Sequence, residues 1–161
     1  MKYNMRSLCT GLLFALCAAS VQAEPSLAER RAISAYQQNT FPAYQKQIQA
    51  AAGFALALDV KWNTIAKPGE AENYGKDEYW TKVYFIPLKN ALAAVASDDM
   101  GKKALVAKLK SVVITYDDNG NRGAVFENGV LTLNYQPYAN VDETPMKERA
   151  KQIQTVLENA L

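Results

Sequence analysis

Gly123-Ala124-Val125-Phe126-Glu127-Asn128-Gly129-Val130-Leu131-Thr132-Leu133-Asn134-Tyr135 is the stretch on which the fold turns. Two runs rich in β-branched and aromatic residues flank Asn128-Gly129. Both residues of that pair tolerate positive φ, the requirement of a two-residue type I′ hairpin. The stretch reads as two antiparallel strands, Gly123–Glu127 and Val130–Tyr135. Upstream, Val112–Tyr116 has strand composition and runs into Asp117-Asp118-Asn119-Gly120-Asn121, a dense turn signal. That places a third strand beside the first two.

A fourth strand is the clearest of all. In Phe54–Trp62, residues Phe54, Leu56, Leu58, Val60 and Trp62 alternate with Ala55, Ala57, Asp59 and Lys61. Strict period-two alternation gives one buried and one wet face. Helical segments surround the strands. Ser26-Leu27-Ala28-Glu29 is a capping box, followed by a helix to about Gln38. Pro42 opens a second helix, which Gly53 stops. Residues 63–76 read as a polar loop with a Pro68-Gly69 turn. From Asp77 a helix carries Trp80, Tyr84, Leu88, Ala91 and Val95 on one stripe. Pro87 either kinks that helix or divides it, and Val83–Ile86 has a short strand as its alternative. A helix from Asp99 to about Lys110 leads into the strands, and a last helix follows Thr144-Pro145 with Met146, Ala150, Ile153, Leu157 and Ala160 aligned. The fold class is α+β: an antiparallel sheet of about four strands packed against helices, in the order ααβ(α)αβββα.

The N-terminus reads as a secretory leader. Lys2 and Arg6 precede an apolar run from Leu8 to Ala19, too short to span a bilayer comfortably, and Val21-Gln22-Ala23 fits signal-peptidase cleavage. The expectation is a leader of residues 1–23 and one globular domain of residues 24–161 in the bacterial periplasm. Both cysteines, Cys9 and Cys17, would leave with the leader, so the domain would have no disulfide. Each follows a leucine rather than the small residue of lipoprotein processing, which favours a soluble product. Of 18 basic residues two lie in the leader, so the remainder balance the 16 acidic ones. No pull toward nucleic acid follows, and no second apolar stretch is long enough for a membrane span.

The missing residue types bound the chemistry. The 161-residue chain has no histidine. With the cysteines gone, Ser-His-Asp and Cys-His catalysis and His/Cys zinc sites are excluded. No S-x-x-K motif and no phosphate-cradling glycine loop occurs, so no cofactor is expected. The paired carboxylates Asp77/Glu78, Asp98/Asp99, Asp117/Asp118 and Asp142/Glu143 suit helix caps and turns, because neighbours in sequence do not face one another. Asp117, Asn119 and Asn121 imitate the start of a calcium loop, but Arg122 and Asn128 stand where it needs Gly and Glu. They read as a hairpin turn, and no metal site is expected.

Aromatic residues provide the candidate site. Trp62, Tyr74, Tyr79, Trp80, Tyr84 and Phe85 cluster among acidic and amide residues. Tyr and Trp offer rigid contact area with a polar handle. Helical spacing assigns Trp80 and Tyr84 to the core and leaves Tyr74 and Tyr79 as surface candidates. Tyr135-Gln136-Pro137-Tyr138-Ala139-Asn140 is a second polar, aromatic loop. The candidate partner-binding residues are Tyr74, Tyr79, Trp80 and Tyr138. The expected function is a non-enzymatic binding protein for a macromolecule, a periplasmic protein or a cell-wall component, in the manner of an inhibitor or immunity protein. The alternatives are a carboxylate-dependent hydrolase of cell-wall glycan or peptide and a carrier of a small apolar ligand. N-terminal sequencing of the product exported by a Gram-negative host is expected to read Glu24-Pro25-Ser26, whereas an uncleaved product retaining Met1 would refute the leader.

Overall fold

The computed structural model describes residues 25–74 and 79–161. The expected leader, and Asp77 and Glu78 at the start of the third long helix, lie outside the described residues. Among those described, helices pack on a four-stranded sheet, the α+β class expected. The capping box forms as read. Ser26 Oγ accepts from the Glu29 N–H at 3.2 Å, and Glu29 reaches back to the Ser26 N–H at 2.5 Å. It starts α1 (Leu27–Asn39), and α2 (Phe41–Ala52) ends on Gly53 at φ 84°. The strands are β1 (Ala57–Val60), β2 (Ser111–Thr115), β3 (Gly123–Glu127) and β4 (Val130–Asn134). The Asn128-Gly129 turn joins β3 and β4 with φ 54° and 87°. A side chain at position 129 would also sit 2.9 Å from the Lys108 carbonyl oxygen, so conformation and space both demand glycine there.

The pairing departs from an all-antiparallel sheet. The strand order is β1-β2-β4-β3, with β1–β2 and β2–β4 parallel and only β3–β4 antiparallel. The physical reason lies in the connections. Helical chain separates β1 from β2, and such a crossover returns the strand in the same direction. The Asp117–Asn121 segment is therefore not a hairpin between partners. It carries the chain from the end of β2 past β4 to the far edge.

β1 is shorter than the alternation suggested, because Trp62 begins the single-turn α3 (Trp62–Ile65). Its faces are as read. Leu58 lies beside Val112 and Val60 beside Ile114 on the helix-covered face, while Ala57 and Asp59 are exposed. Within the stretch expected to be loop, α4 (Ala71–Tyr74) adds another turn. Tyr79 and Trp80 then lead into a π segment (Thr81–Phe85) and α5 (Ile86–Val95). Pro87 explains the π segment, since it has no N–H and its ring crowds the carbonyl four residues back. The Ile86 N–H bonds instead to Thr81 O, five residues back, widening the backbone just before the proline. This replaces the alternative strand at Val83–Ile86. The stripe survives: Trp80, Tyr84, Leu88, Ala91 and Val95 are all buried.

Asp98 caps α6 (Asp99–Lys108) through the Gly101 N–H at 2.7 Å. The last helix, α7 (Glu143–Ala160), starts on Asp142 rather than Thr144 and packs against α5 and β3. Val112, Ile114, Leu131 and Leu133 meet the helices in one core. No helix among the described residues is long and apolar enough to cross a membrane. Leu133 is fully buried in an inner strand, whereas Val106 is 59% exposed. Urea unfolding is expected to show a loss of about 2–5 kcal/mol for Leu133→Ala and within about 0.5 kcal/mol of wild type for Val106→Ala. Equal effects would refute the core placement.

Candidate functional site

β1, β2 and β4 run the same way, so their carboxyl ends share one edge of the sheet. The residues that follow them, Thr64, Tyr116 and Asp118, and Gln136 to Tyr138, wall a cleft of about 270 Å³ closed by Ala66, Lys67 and Pro68. Open parallel sheets commonly bind ligands outside such ends.

Buried polar groups hold the walls. Asn134, only 3% exposed at the end of β4, accepts from the Asp117 N–H at 2.9 Å and donates to the carbonyls of Asp117 at 2.9 Å and Asn121 at 3.0 Å. One side chain thus fixes the whole β2–β3 connection. Thr64 Oγ1 accepts from the Tyr116 N–H at 3.1 Å and lies 3.2 Å from Thr115 Oγ1, tying α3 to the end of β2. The loop after β4 is pinned by two groups. Tyr84 donates to Tyr135 O at 2.6 Å, and Arg149 of α7 donates to Asn140 O at 2.8 Å and Lys82 O at 3.4 Å. Pro87 cannot donate to that Lys82 carbonyl in the π register, and the arginine contributes a donor there.

The two aromatic segments singled out in the sequence meet here. Tyr79 packs on Tyr138 with ring centres 4.6 Å apart. Tyr138 donates to the Tyr74 hydroxyl at 3.2 Å, which in turn donates to Lys67 O at 2.5 Å. Lys67 Nζ lies 4.9 Å from the Tyr138 ring centre, a cation–π contact. Tyr74 is not the surface residue expected: it is 2% exposed and stacks on Trp80 at 4.4 Å. Trp80 is buried as its spacing implied, its indole donating to Ile65 O at 3.0 Å. Tyr79 and Tyr138 remain half-buried and form the accessible part of the group.

Lys67, Tyr116, Asp118 and Arg122 complete the site; Lys67 and Tyr116 were not singled out from sequence, and Asp118 and Arg122 read only as parts of a turn. Tyr116 donates to Asp118 at 2.5 Å, Arg122 pairs with the same carboxylate, and the guanidinium lies 4.8 Å above the Tyr116 ring. An aromatic residue closing a strand before a long polar loop was the available signal. Among the described residues Asp118 is the one carboxylate lining the cleft, and it is already engaged twice. Burial pushes the Tyr138 and Tyr74 phenols up, and the hydrogen bond to Asp118 pushes Tyr116 up. These hydroxyls keep their protons near neutral pH and are suited to hydrogen bonding rather than to base catalysis. No cluster of three or more metal-ligating side chains occurs among the described residues. No protein-family model, curated protein or solved structure matches this chain.

Glu29 connects the site to α1. Besides the Ser26 N–H, it accepts from the Gly69 N–H at 2.6 Å, which fixes the segment bearing Lys67 and Tyr74. Hydrogen bonds from the Ser26 and Gly69 backbone hold its carboxyl below the ordinary value. A depressed folded-state value adds stability above the unfolded value of about 4.3 and loses it as pH falls through the folded value. Thermal melts should therefore show wild type above Glu29→Gln at pH 7, with the gap closing below about pH 4. A gap constant down to pH 2 would refute the carboxylate's role.

Proposed function

We propose that this chain is an exported, non-enzymatic binding protein that recognises a macromolecular partner, a protein of the periplasm, in the manner of an inhibitor or immunity protein. The leader features of residues 1–23 support export. The observation that carries the binding reading is that Tyr138, which lines an open cleft at the carboxyl ends of three parallel strands, packs against Tyr79 of a sequence-distant aromatic segment. Accessible tyrosines are enriched among the anchors of protein interfaces. A hydrolase acting through carboxylates needs two of them facing one substrate. Among the described residues this cleft has one, Asp118, held by Arg122 and Tyr116. An apolar carrier needs an enclosed apolar cavity, whereas this cleft is lined by Lys67, Asp118 and Gln136 as well as by aromatic rings.

Affinity capture from periplasmic extract with the chain beginning at Glu24, read by mass spectrometry, tests the proposal. The wild-type domain is expected to retain a specific protein. Tyr79→Ala combined with Tyr138→Ala should weaken retention roughly tenfold or more, corresponding to about 1.4 kcal/mol at an interface anchor, while far-UV circular dichroism stays unchanged. Full retention by the folded double variant would remove the cleft from the account. Turnover of cell-wall glycan or peptide by the pure domain would favour the hydrolase instead.

A further inference from the structure

The two edges of the sheet are managed differently. α7 packs along β3 at one edge, while β1 at the other has β2 as its principal neighbour. The ladder fixes which β1 groups are used. Lys61 N–H donates to Ile114 O at 2.8 Å, so the backbone groups of Ala57, Asp59 and Lys61 face β2. Those of Leu58 and Val60 therefore point away from the sheet. The edge is closed at its start, where Gln49 Nε2 donates to Leu56 O at 3.1 Å. Beyond that point no protein group among the described residues bonds the outward N–H and C=O of Leu58 and Val60.

A groove of about 630 Å³ opens there, between Asp59–Thr64 on one side and Arg30, Ile33, Ser34 and Gln37 of α1 on the other. Residues from both faces of β1, Val60 and Asp59, line it, so it opens on the strand's edge. An unpaired edge is a template for an added strand. α1 walls the groove, which leaves room for one extended chain rather than for a second sheet carrying its own helices. The charge pattern selects the segment. Asp59 is bonded to Lys61 at 2.7 Å, and Arg30 has no carboxylate partner among the described residues. Ile33 and Trp62 supply apolar surface.

We infer that the β1 edge binds an extended peptide segment of the partner protein as a fifth strand, with apolar side chains against Ile33 and Trp62 and an acidic residue at Arg30. This deepens the proposed function and rests on the partner being a protein. The groove shares Thr64 with the aromatic cleft, so one partner can occupy both.

The probe is a synthetic heptapeptide alternating valine and threonine with one glutamate, added at millimolar concentration to the domain beginning at Glu24. Its control is the same peptide N-methylated at every amide, which leaves no N–H on either edge. Binding is expected to slow hydrogen exchange of the Leu58 and Val60 amides tenfold or more, and the N-methylated control to have no effect. Arg30→Gln should weaken binding several-fold. Val60→Pro removes the outward N–H, which edge strands tolerate, at the cost of some packing on the helix-covered face; with far-UV circular dichroism showing it folded, it should abolish both peptide binding and partner capture. No protection at Leu58 and Val60, equal binding of the N-methylated control, or a dimer that pairs β1 with β1 would overturn the inference. Loss of partner capture in the tyrosine double variant with retention in folded Val60→Pro would leave the proposed function standing and remove the edge. Peptide protection with capture indifferent to Tyr79 and Tyr138 would do the reverse.

Discussion

The parallel pairing of β2 with both β1 and β4 is the constraint on which the rest depends. Parallel neighbours end on the same side, so the chain must leave the sheet three times along one edge. Each exit delivers a different wall: α3 after β1, the Asp117–Asn121 connection after β2, and the Gln136–Tyr138 loop after β4. The antiparallel β3 contributes no exit there. An all-antiparallel sheet of the same strands would scatter these walls over both ends, and Tyr116 and Tyr138 would not line one cleft.

Surface loops of this length need internal ties, and the ties here are buried polar side chains. Asn134 uses both ends of its amide on the backbone of the β2–β3 connection. Arg149 is 8% exposed and meets carbonyl oxygens, with no partner on its Nε among the described residues. Burial holds its guanidinium below the ordinary value. Among the described residues no carboxylate pairs with it, and a buried cation without one is costly. Its position nevertheless binds the π segment to the loop that carries Tyr138. The stability given up at Arg149 is exchanged for a fixed relation between the two aromatic segments.

Most of the local signals in the sequence were realised, and the strand order, which is not local, was not. The capping box at Ser26, the Asn128-Gly129 hairpin and the faces of β1 each depend on residues within a few positions, and all form. Strand order depends on which distant strands meet. Asp117–Asn121 has the composition of a hairpin turn, and composition does not say that β4 will lie between β2 and β3. The long helical link between β1 and β2 was the physical clue to parallel pairing. The site was legible to the same degree. Tyr79 and Tyr138 were marked as separate segments, and their contact is a tertiary fact. Helical spacing assigns only Trp80 and Tyr84 to the core and so leaves Tyr74 at the surface, yet stacking on Trp80 buries it. Arg149 sits at a core position of the α7 stripe, four residues before Ile153. A charge at such a position marks a buried polar tie.

Amide hydrogen exchange of the domain in complex with its captured partner tests the central claim most directly, that the carboxyl-end edge is the binding surface. The account predicts new protection confined to residues 30–37, 58–68, 79–80, 116–122 and 136–140. Protection concentrated instead on the opposite surface, around the exposed Met100 and Val106 of α6, would contradict it.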